Sequence, residues 1–428
     1  MNKLDPIYMQ IKQFEESNSS VLSLKNLKLR SVPEGVEQYT HLIELDLSEN
    51  ELSKLPVNIG DLKNLQAIDI SSNKFTDLPK EIYQFEQLKN INASYNHLRT
   101  IPKSLSTLTE LQELYLYGNS LTNIDFDVLS KLKKLKVLHL GGNRINIADL
   151  QAGVSKLRRL EKLYLWNTHL DTFPEAILEL ERLKVLVITN NRIPSIPSGI
   201  SKLTHLNSLL AGKNLLKDLP PEIGLLKSLW VLDLSKNMLK RLPPEIGNLT
   251  HLNRLFINAN EIEELPSEIG NLQNLMWLFA GRREAERAKK GKKLIFVEDK
   301  DNKDSKGNCL TSLPKEITSL AKLKSIDLLG NDLPIPPELL KAGIPKSIFN
   351  YFFSRTDNKR RLDQAKILFV GQGSVGKTSL VQRILDNMFS TNETKTEGIV
   401  INRWLVDNQS EVENQQSKIN LNIWDFGG

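Results

Sequence analysis

Leucine and polar positions alternate in a short pattern that recurs along most of the chain. The pattern is L-x-L-x-x-N-x-L, and the segment from Leu45 to Leu52 is an example. Its asparagine recurs mostly at intervals of 23 residues, at Asn50, Asn73, Asn96, Asn119, Asn143, Asn191, Asn214, Asn237, Asn260, Asn308 and Asn331. Leu27 and Thr168 occupy the asparagine position in two further turns, which brings these eleven turns to 13. A period of about 20 to 29 residues is typical of stacked repeats, so we predict one solenoid over residues 21–337.

Each repeat predicts a strand, a sharp turn and a convex segment. The two leucines of L-x-L point into the core of a short strand, and the residue between them points outward. The asparagine amide can satisfy backbone groups inside the turn, and stacked copies form a ladder. A second motif, L-P-x-x-I-x-x-L, supplies an apolar stripe on the convex side, as at Leu242 and Pro243. The array resembles a leucine-rich repeat horseshoe with a parallel concave sheet, which is an α/β fold.

The ends and one internal region depart from the regular pattern. Leu27 lies in the first turn, where an atypical capping repeat is expected. Three apolar residues at helical spacing before it predict a helical cap over residues 1–20. Thr168 lies beside turns of 24 and 25 residues, which predicts a local irregularity. After the array, residues 338–363 are expected to form a capping helix and a linker.

The outward residues of successive strands form a column on the concave sheet. This column is acidic at Asp46 and Asp69 and becomes aromatic in the middle of the array. Aromatic residues on consecutive strands predict a strip that recognises a protein partner or the protein's own downstream domains. The predicted strip consists of Tyr115, Tyr117, His139, Tyr164, Trp166, Phe256, Trp277 and Phe279. The alternative is that these are scattered surface aromatics without a role.

Composition narrows the class of protein. Of the 428 residues, 40% are hydrophobic and 25% are charged, which excludes wholesale disorder. The single cysteine, Cys309, excludes a disulfide framework and a cysteine-based metal site. The start of the chain lacks the apolar segment of a secretory signal, and no run approaches the ~18 apolar residues of a membrane span. We therefore expect a cytoplasmic protein.

Positive charge is concentrated in one insertion of the array. The net charge of the chain is +6, and residues 282–307 hold ten Lys and Arg against six Asp and Glu, a net of +4. No stacked aromatic residues accompany this basic run, so we expect no nucleic-acid partner. A calcium loop starting at Asp299 is also excluded, because Lys303 and Leu310 occupy positions that calcium ligands would need.

A phosphate-binding motif follows the repeats. The run from Lys366 to Val370 predicts a buried strand, and G-x-x-x-x-G-K-[ST] comes directly after it, with a helical segment behind. In such a loop the glycine-rich backbone and the helix N-terminus hold phosphate oxygens. Lys377 is expected to bridge the β- and γ-phosphates, and the Thr378 hydroxyl to bind Mg²⁺. The predicted nucleotide-binding residues are Gly371, Gly373, Ser374, Val375, Gly376, Lys377, Thr378 and Ser379.

A second nucleotide motif lies at the end of the chain. An alternating apolar run leads into W-D-F-G-G, in which Asp425 and Gly428 resemble the D-x-x-G of small GTPases. That resemblance implies that Asp425 reaches Mg²⁺ through water and that the Gly428 amide contacts the γ-phosphate. Thr396 lies where a switch threonine would complete the metal's ligands. A plain loop role for Thr396, or the use of Thr391 or Thr394 instead, stays open.

Leucine-rich repeats followed by a P-loop and W-D-F-G-G resemble the Roco family. The resemblance implies a Ras-of-complex (Roc) GTPase domain that uses GTP/GDP and Mg²⁺, followed by a COR domain through which the family dimerises. Residues 364–428 would then be the N-terminal part of a Ras-like P-loop GTPase domain. The guanine-reading loop, the glutamine that orients water, COR and a kinase domain are absent from these 428 residues. We therefore identify no catalytic residue, leave GTPase activity open, and expect a truncated chain.

The sequence thus favours a Roco-type GTP-binding protein in which a recognition solenoid is coupled to a nucleotide switch. The alternative is a protein-interaction solenoid with a non-functional nucleotide segment. An ATPase is a third possibility, because the residues present do not distinguish guanine from adenine.

Overall fold

The structure, a computed structural model, describes most of the repeat region and three strands near the C-terminus. The described residues are 6–17, 19–282, 284–287, 294–297, 307–357, 364–369, 399–408 and 417–426, with side chains for 6–17, 19–282 and 307–354. The chain divides into two compact units, Met1–Phe352 and Phe353–Gly428.

The first unit is built on a parallel sheet of 13 short strands, one for each predicted turn. Its strands are β1 (Val21–Ser23), β2 (Glu44–Asp46), β3 (Ala67–Asp69), β4 (Asn90–Asn92), β5 (Glu113–Tyr115), β6 (Val137–His139), β7 (Lys162–Tyr164), β8 (Val185–Val187), β9 (Ser208–Leu210), β10 (Val231–Asp233), β11 (Arg254–Phe256), β12 (Trp277–Phe279) and β15 (Ser325–Asp327). The middle residue of each strand is a buried Leu or Ile. The pairing keeps the third residues in one row, so the predicted concave column is confirmed. A separate antiparallel pair, β13 (Glu284–Arg287) and β14 (Leu294–Val297), lies within the insertion.

The convex side consists mainly of short 3-10 helices. They span Val36–Gln38, Val57–Asp61, Lys80–Gln84, Lys103–Thr107, Val154–Lys156, Glu175–Glu179, Ser198–Lys202, Pro221–Leu225, Pro244–Asn248, Ser267–Asn271 and Lys315–Ser319. Most follow a proline of the L-P motif, which occupies the N-cap position with extended backbone, as Pro56 (ψ 147°) and Pro243 (ψ 145°) do. The isoleucine or leucine inside most of them is buried, as the apolar stripe predicted.

Two α-helices occur in the longer turns, where the spacing predicted an irregularity: one takes the place of a 3-10 helix, and the other precedes the 3-10 helix Val154–Lys156. These are α2 (Phe126–Ser130) and α3 (Ile147–Gly153). Asp125 accepts hydrogen bonds from two backbone N–H groups at the start of α2, and Asn146 accepts one at the start of α3. Such caps satisfy N–H groups that have no partner within the helix. The extra residues are therefore accommodated on the convex side, while the strands keep their register.

The asparagine ladder forms as predicted. Asn50 donates through its side-chain amide to Leu24 O at 2.8 Å and Leu47 O at 2.9 Å, and its Oδ1 accepts from Leu27 N and Leu29 N at 3.0 Å. The same arrangement recurs at the other ladder positions. Thr168 makes only part of the asparagine's hydrogen bonds: its hydroxyl donates to Leu165 O of its own turn at 2.7 Å. Each asparagine thus links its own turn to the preceding one.

Helices lie at both ends of the array. At the N-terminus, α1 (Pro6–Ser17) buries Phe14 against Tyr39 and His41, with ring centroids 4.9 and 5.7 Å away. At the other end are α4 (Pro337–Ala342) and α5 (Pro345–Asp357). Ile326 N in β15 donates to Gly343 O at 3.1 Å, so part of the last strand's exposed edge is paired.

The second unit contains a three-stranded sheet. Its strands are β16 (Gln364–Phe369), β17 (Ile399–Asn408) and β18 (Ser417–Phe426), in the order β16-β18-β17. The central strand β18 is parallel to β16 and antiparallel to β17. The buried strand predicted from Lys366 and the alternating run predicted before W-D-F-G-G are therefore strands, β16 and β18.

Candidate functional site

The nucleotide motifs fall mostly outside the described residues. Residues 371–379, Thr396 and Gly428 are among those outside, and Asp425 is described only through its backbone. Asp425 pairs with Phe369 at the carboxyl end of the parallel pair β16 and β18. In α/β sheets ligands bind at the carboxyl ends of parallel strands. The backbone thus places Asp425 at the edge from which the predicted phosphate loop continues.

Six side chains come together on the concave face to form what we term the aromatic cluster. They are Tyr95, Tyr115, Tyr117, His139, Tyr164 and Trp166. His139 lies at the centre, stacked on Tyr164 with ring centroids 4.6 Å apart and planes 8° apart. The ring centroid of Tyr117 lies 4.4 Å from that of His139 and 4.9 Å from that of Tyr95. Five of the eight predicted strip residues are therefore in mutual contact.

Two glycines leave room for the rings of the aromatic cluster. A Cβ on Gly141 would overlap the indole of Trp166, and a Cβ on Gly118 would lie 2.6 Å from the ring of Tyr95. The φ of Gly118 is +66°, and other repeats adopt a similar value at this position without glycine, as Tyr95 does at +52°. Tyr95 itself was not predicted, because it lies three residues after the column position of its strand, one residue further than Tyr117 and Trp166. Gly118 occupies the same position in the next repeat, and the absence of a side chain there could have indicated space for the Tyr95 ring.

His139 is held neutral by its surroundings. Trp166 Nε1–H points at His139 Nε2 and the Gly141 backbone N–H at Nδ1, both at 3.3 Å. A neutral imidazole can accept at one nitrogen only, and a protonated one at neither. Burial lowers the pKa of His139 to about 4. The centre of the cluster is therefore uncharged at neutral pH.

Carboxylates lie beside the aromatic cluster. Asp69 accepts from Ser71 N at 2.8 Å, Ser71 Oγ at 2.6 Å and Asn92 Nδ2 at 2.8 Å. Glu113 accepts from the Tyr115 hydroxyl at 2.8 Å and from an asparagine amide at 3.0 Å. Burial and the Glu113 carboxylate raise the pKa of Tyr115. These neutral donors orient the carboxylates without cancelling their charge.

A cavity of about 520 Å³ opens between the carboxylates and the aromatic rings. We term it the acidic–aromatic cavity. Its polar and aromatic lining is formed by Glu44, Asp69, Asn90, Asn92, Tyr115, Tyr117, His139 and Tyr164.

The remaining predicted strip residues form a separate group further along the sheet. Phe256 and Phe279 stack with ring centroids 4.7 Å apart, and Trp277 lies in the same strand as Phe279. Phe279 is only 1% exposed, so its ring packs in the fold. The guanidinium of Arg254 lies 4.6 Å from the ring centroid of Trp230, a cation–π contact that the sequence pattern did not indicate.

In the part of the chain that the structure describes, no cluster of three or more His, Cys, Asp or Glu side chains could hold a metal ion.

No helix among the described residues is both long and apolar enough to cross a membrane.

Two family models match the chain. A leucine-rich repeat region model matches residues 9–146, 122–236 and 222–298, which together cover more than half of the chain. A model of the Roc (Ras of Complex) domain of DAPkinase matches residues 366–428. Among solved structures, a leucine-rich repeat protein of Leptospira interrogans is 28% identical, with a TM-score of 0.58 over 83% of this chain and 92% of that chain. The crystal structure of a TDR receptor is 26% identical, with the same TM-score over 76% and 54% of the two chains.

Two curated relatives are much longer than this chain. A Roc-COR-CHAT protease of an unknown prokaryotic organism is 31% identical over 137 residues, 29% of this chain and 13% of the relative. A probable serine/threonine-protein kinase of Dictyostelium discoideum, pats1, is 29% identical over 134 residues, 28% of this chain and 4% of the relative. The matched stretch is thus a small part of either relative. With the repeat model covering residues 9–298 and Roc sequence after it, the chain belongs to the leucine-rich repeat family and has a Roco-like architecture.

Proposed function

We propose that this protein is a recognition module coupled to a guanine-nucleotide switch. The concave face of the repeats binds a segment of a protein partner, and the Roc sequence binds GTP or GDP with Mg²⁺. The observation that supports recognition is the aromatic cluster beside a cavity of about 520 Å³.

The aromatic cluster has the chemistry of a binding surface. Its rings are half-buried, except Tyr95, which is 53% exposed. Aromatic residues that are packed against each other yet reach the surface contribute strongly to protein interfaces, because little side-chain freedom is lost on binding. A row of fixed rings across consecutive strands therefore suits an extended segment lying along the sheet.

The nucleotide part rests on motif order, the Roc match and the pairing of β16 with β18. Lys377 would hold the phosphates, Thr378 and Thr396 would bind Mg²⁺, and Asp425 would hold the metal's water. The backbone position of Asp425 at the carboxyl end of β18 fits this arrangement. A bound γ-phosphate and its metal supply charge that orders neighbouring segments, and hydrolysis removes it.

Recognition can be tested with a random dodecapeptide library displayed on phage. Peptides enriched on the wild-type chain are then tested on a variant with Tyr115→Ala, Tyr164→Ala and Trp166→Ala. We expect this variant to lose binding about tenfold or more, because the rings provide most of the contact area. Thermal unfolding monitored by circular dichroism checks that the variant is folded. Peptides that bind both chains equally would contradict a role for the concave face.

Nucleotide binding is tested by titrating a fluorescent GDP analogue against the chain with Mg²⁺. We expect Lys377→Ala to abolish binding and unlabelled GTP, but not ATP, to compete. Equal competition by ATP would exclude guanine selectivity. Wild-type and Lys377→Ala chains that behave alike would favour an interaction solenoid whose nucleotide segment has no switch function.

A further inference from the structure

We propose that the acidic–aromatic cavity receives a lysine or arginine side chain from the bound segment. The inference rests on the proposed recognition by the concave face and adds the chemical class of its ligand. The observations that support the inference are the charge and the shape of the cavity.

The cavity spans enough strands to hold part of an extended chain. Its lining comes from β2 to β7, which are successive strands of the parallel sheet. Neighbouring strands lie about 4.8 Å apart, so these six strands span about 24 Å. An extended segment of about seven residues covers that distance. A segment lying across the strands can therefore place one side chain in the cavity while its neighbours contact the rings.

Glu44 and Asp69 line the cavity, and Glu113 lies beside it, bonded to the lining residues Asn90 and Tyr115. Glu44, Asp69 and Glu113 form none of the ion pairs within 4.0 Å among the described residues. The hydrogen bonds to Asp69 and Glu113 come from amides and hydroxyls. Lys25 is paired with Glu49 at 2.9 Å, and it interacts with Asp69 through charge attraction without forming an ion pair within 4.0 Å. The cavity thus keeps a negative potential that a positively charged side chain would balance.

The opposite wall favours a cation as well. Tyr115, Tyr117 and Tyr164 present π-systems, and burial raises the pKa of each phenol, so they are neutral. His139 between them is neutral too, and so does not repel a cation. An ammonium or guanidinium within about 6 Å of such rings is attracted by their quadrupoles. Carboxylates on one side and neutral rings on the other exclude an acidic side chain and favour a basic one.

The test uses the dodecapeptide selection and a charge-neutral variant. We expect the enriched peptides to share a Lys or Arg and to weaken about tenfold on a chain with Asp69→Asn and Glu113→Gln. A control with Glu263→Gln and Glu264→Gln makes the same change in net charge at two exposed positions and should bind normally. Replacing the peptide's lysine by acetyl-lysine should have the same effect as the cavity variant. The two changes combined should add little.

The outcomes separate this inference from the proposed function. Suppose the enriched peptides lack Lys and Arg but still lose binding on the triple aromatic variant. This would contradict a basic side chain in the cavity and still support binding by the concave face. Acetyl-lysine peptides that bind as well as lysine peptides would do the same. A selection that yields no peptide sensitive to the aromatic variant would overturn both.

Discussion

The repeats that contain β10 to β12 and the turns around the aromatic cluster differ on both faces of the solenoid. The former repeat the convex segment P-x-E-I-G within 23 residues and fold it as a 3-10 helix. Two of the latter are longer, with 24 and 25 residues, and carry the α-helices α2 and α3. The strands of both regions nevertheless pair in the same register. The inward leucines and the asparagine ladder therefore determine the sheet, and the convex side can vary in length without disturbing it.

Closely packed glycines lie on the convex side of both regions, and the cluster turns have concave glycines beside rings in addition. In the regular repeats, a Cβ on Gly224, Gly247 or Gly270 would overlap the backbone of a glutamate in the following 3-10 helix. In the cluster turns, Gly118 and Gly141 make room for rings on the concave face. The cluster turns also have a convex glycine, Gly153 of α3, where a Cβ would overlap Phe126, so the concave glycines beside the rings are what distinguish them.

The largest expected effect is on the ladder, which both regions share. Asn237→Ala removes side-chain donors to Ala211 O and Leu234 O and the acceptor of Leu216 N, all buried. Leaving these groups unpaired should lower the free energy of unfolding by about 3 kcal/mol or more. Urea unfolding measures this change. Asn271→Ala, an exposed position at the end of a 3-10 helix, is the control and should change it by under about 0.5 kcal/mol.

Asn143→Ala, in a cluster turn, should cost as much as Asn237→Ala. Its amide makes the same kind of bonds, to Leu116 O and Leu140 O at 2.9 Å. A much smaller loss at Asn143 would show that the two regions are not held together in the same way.

A smaller effect is expected from the convex glycines. Gly247→Ala places a Cβ against the backbone of Glu268, which cannot move as a side chain would. We expect a loss of about 1 to 3 kcal/mol in the free energy of unfolding. Ser106→Ala changes the equivalent position beside the cluster turns, where the hydroxyl is exposed and bonds only to Lys103 O. Urea unfolding measures both variants. Equal losses in the free energy of unfolding would show that the convex side is not packed more closely at Gly247 than at Ser106.

The sequence predicted the repeat period, the strand register and the ladder, because each depends on residues that recur at fixed spacing. It did not predict Tyr95 in the cluster or the burial of Phe279, although Phe279 lies in the predicted column. It also gave no sign that Trp166 and Gly141 both direct donors at His139. These features depend on side-chain directions and on contacts between neighbouring turns. The period brings such residues together but does not specify how they orient.

The pH dependence of stability should distinguish the aromatic cluster from the regular repeats. The pKa of His139 is about 4 in the folded protein, below its ordinary value of 6.5. The unfolded chain therefore binds more protons between these values, and the contribution of His139 to stability is lost as the pH falls from about 6.5 towards 4. Urea unfolding at several pH values should show a shallower dependence in His139→Gln. If the pH dependence of the free energy of unfolding is unchanged in His139→Gln, it arises from titratable groups other than His139.

The smallest effect is expected inside the aromatic cluster itself. Tyr115→Phe removes the hydroxyl that donates to Glu113 but keeps the ring beside His139. Glu113 still accepts from Asn90 Nδ2, and its carboxylate can be hydrated, so no buried group is left unpaired. We expect the free energy of unfolding to change by about 0.5 kcal/mol, well below the loss at Gly247. A loss above about 2 kcal/mol would mean that this surface stabilises the fold as the convex side does, and that its aromatic residues are there for packing instead of recognition.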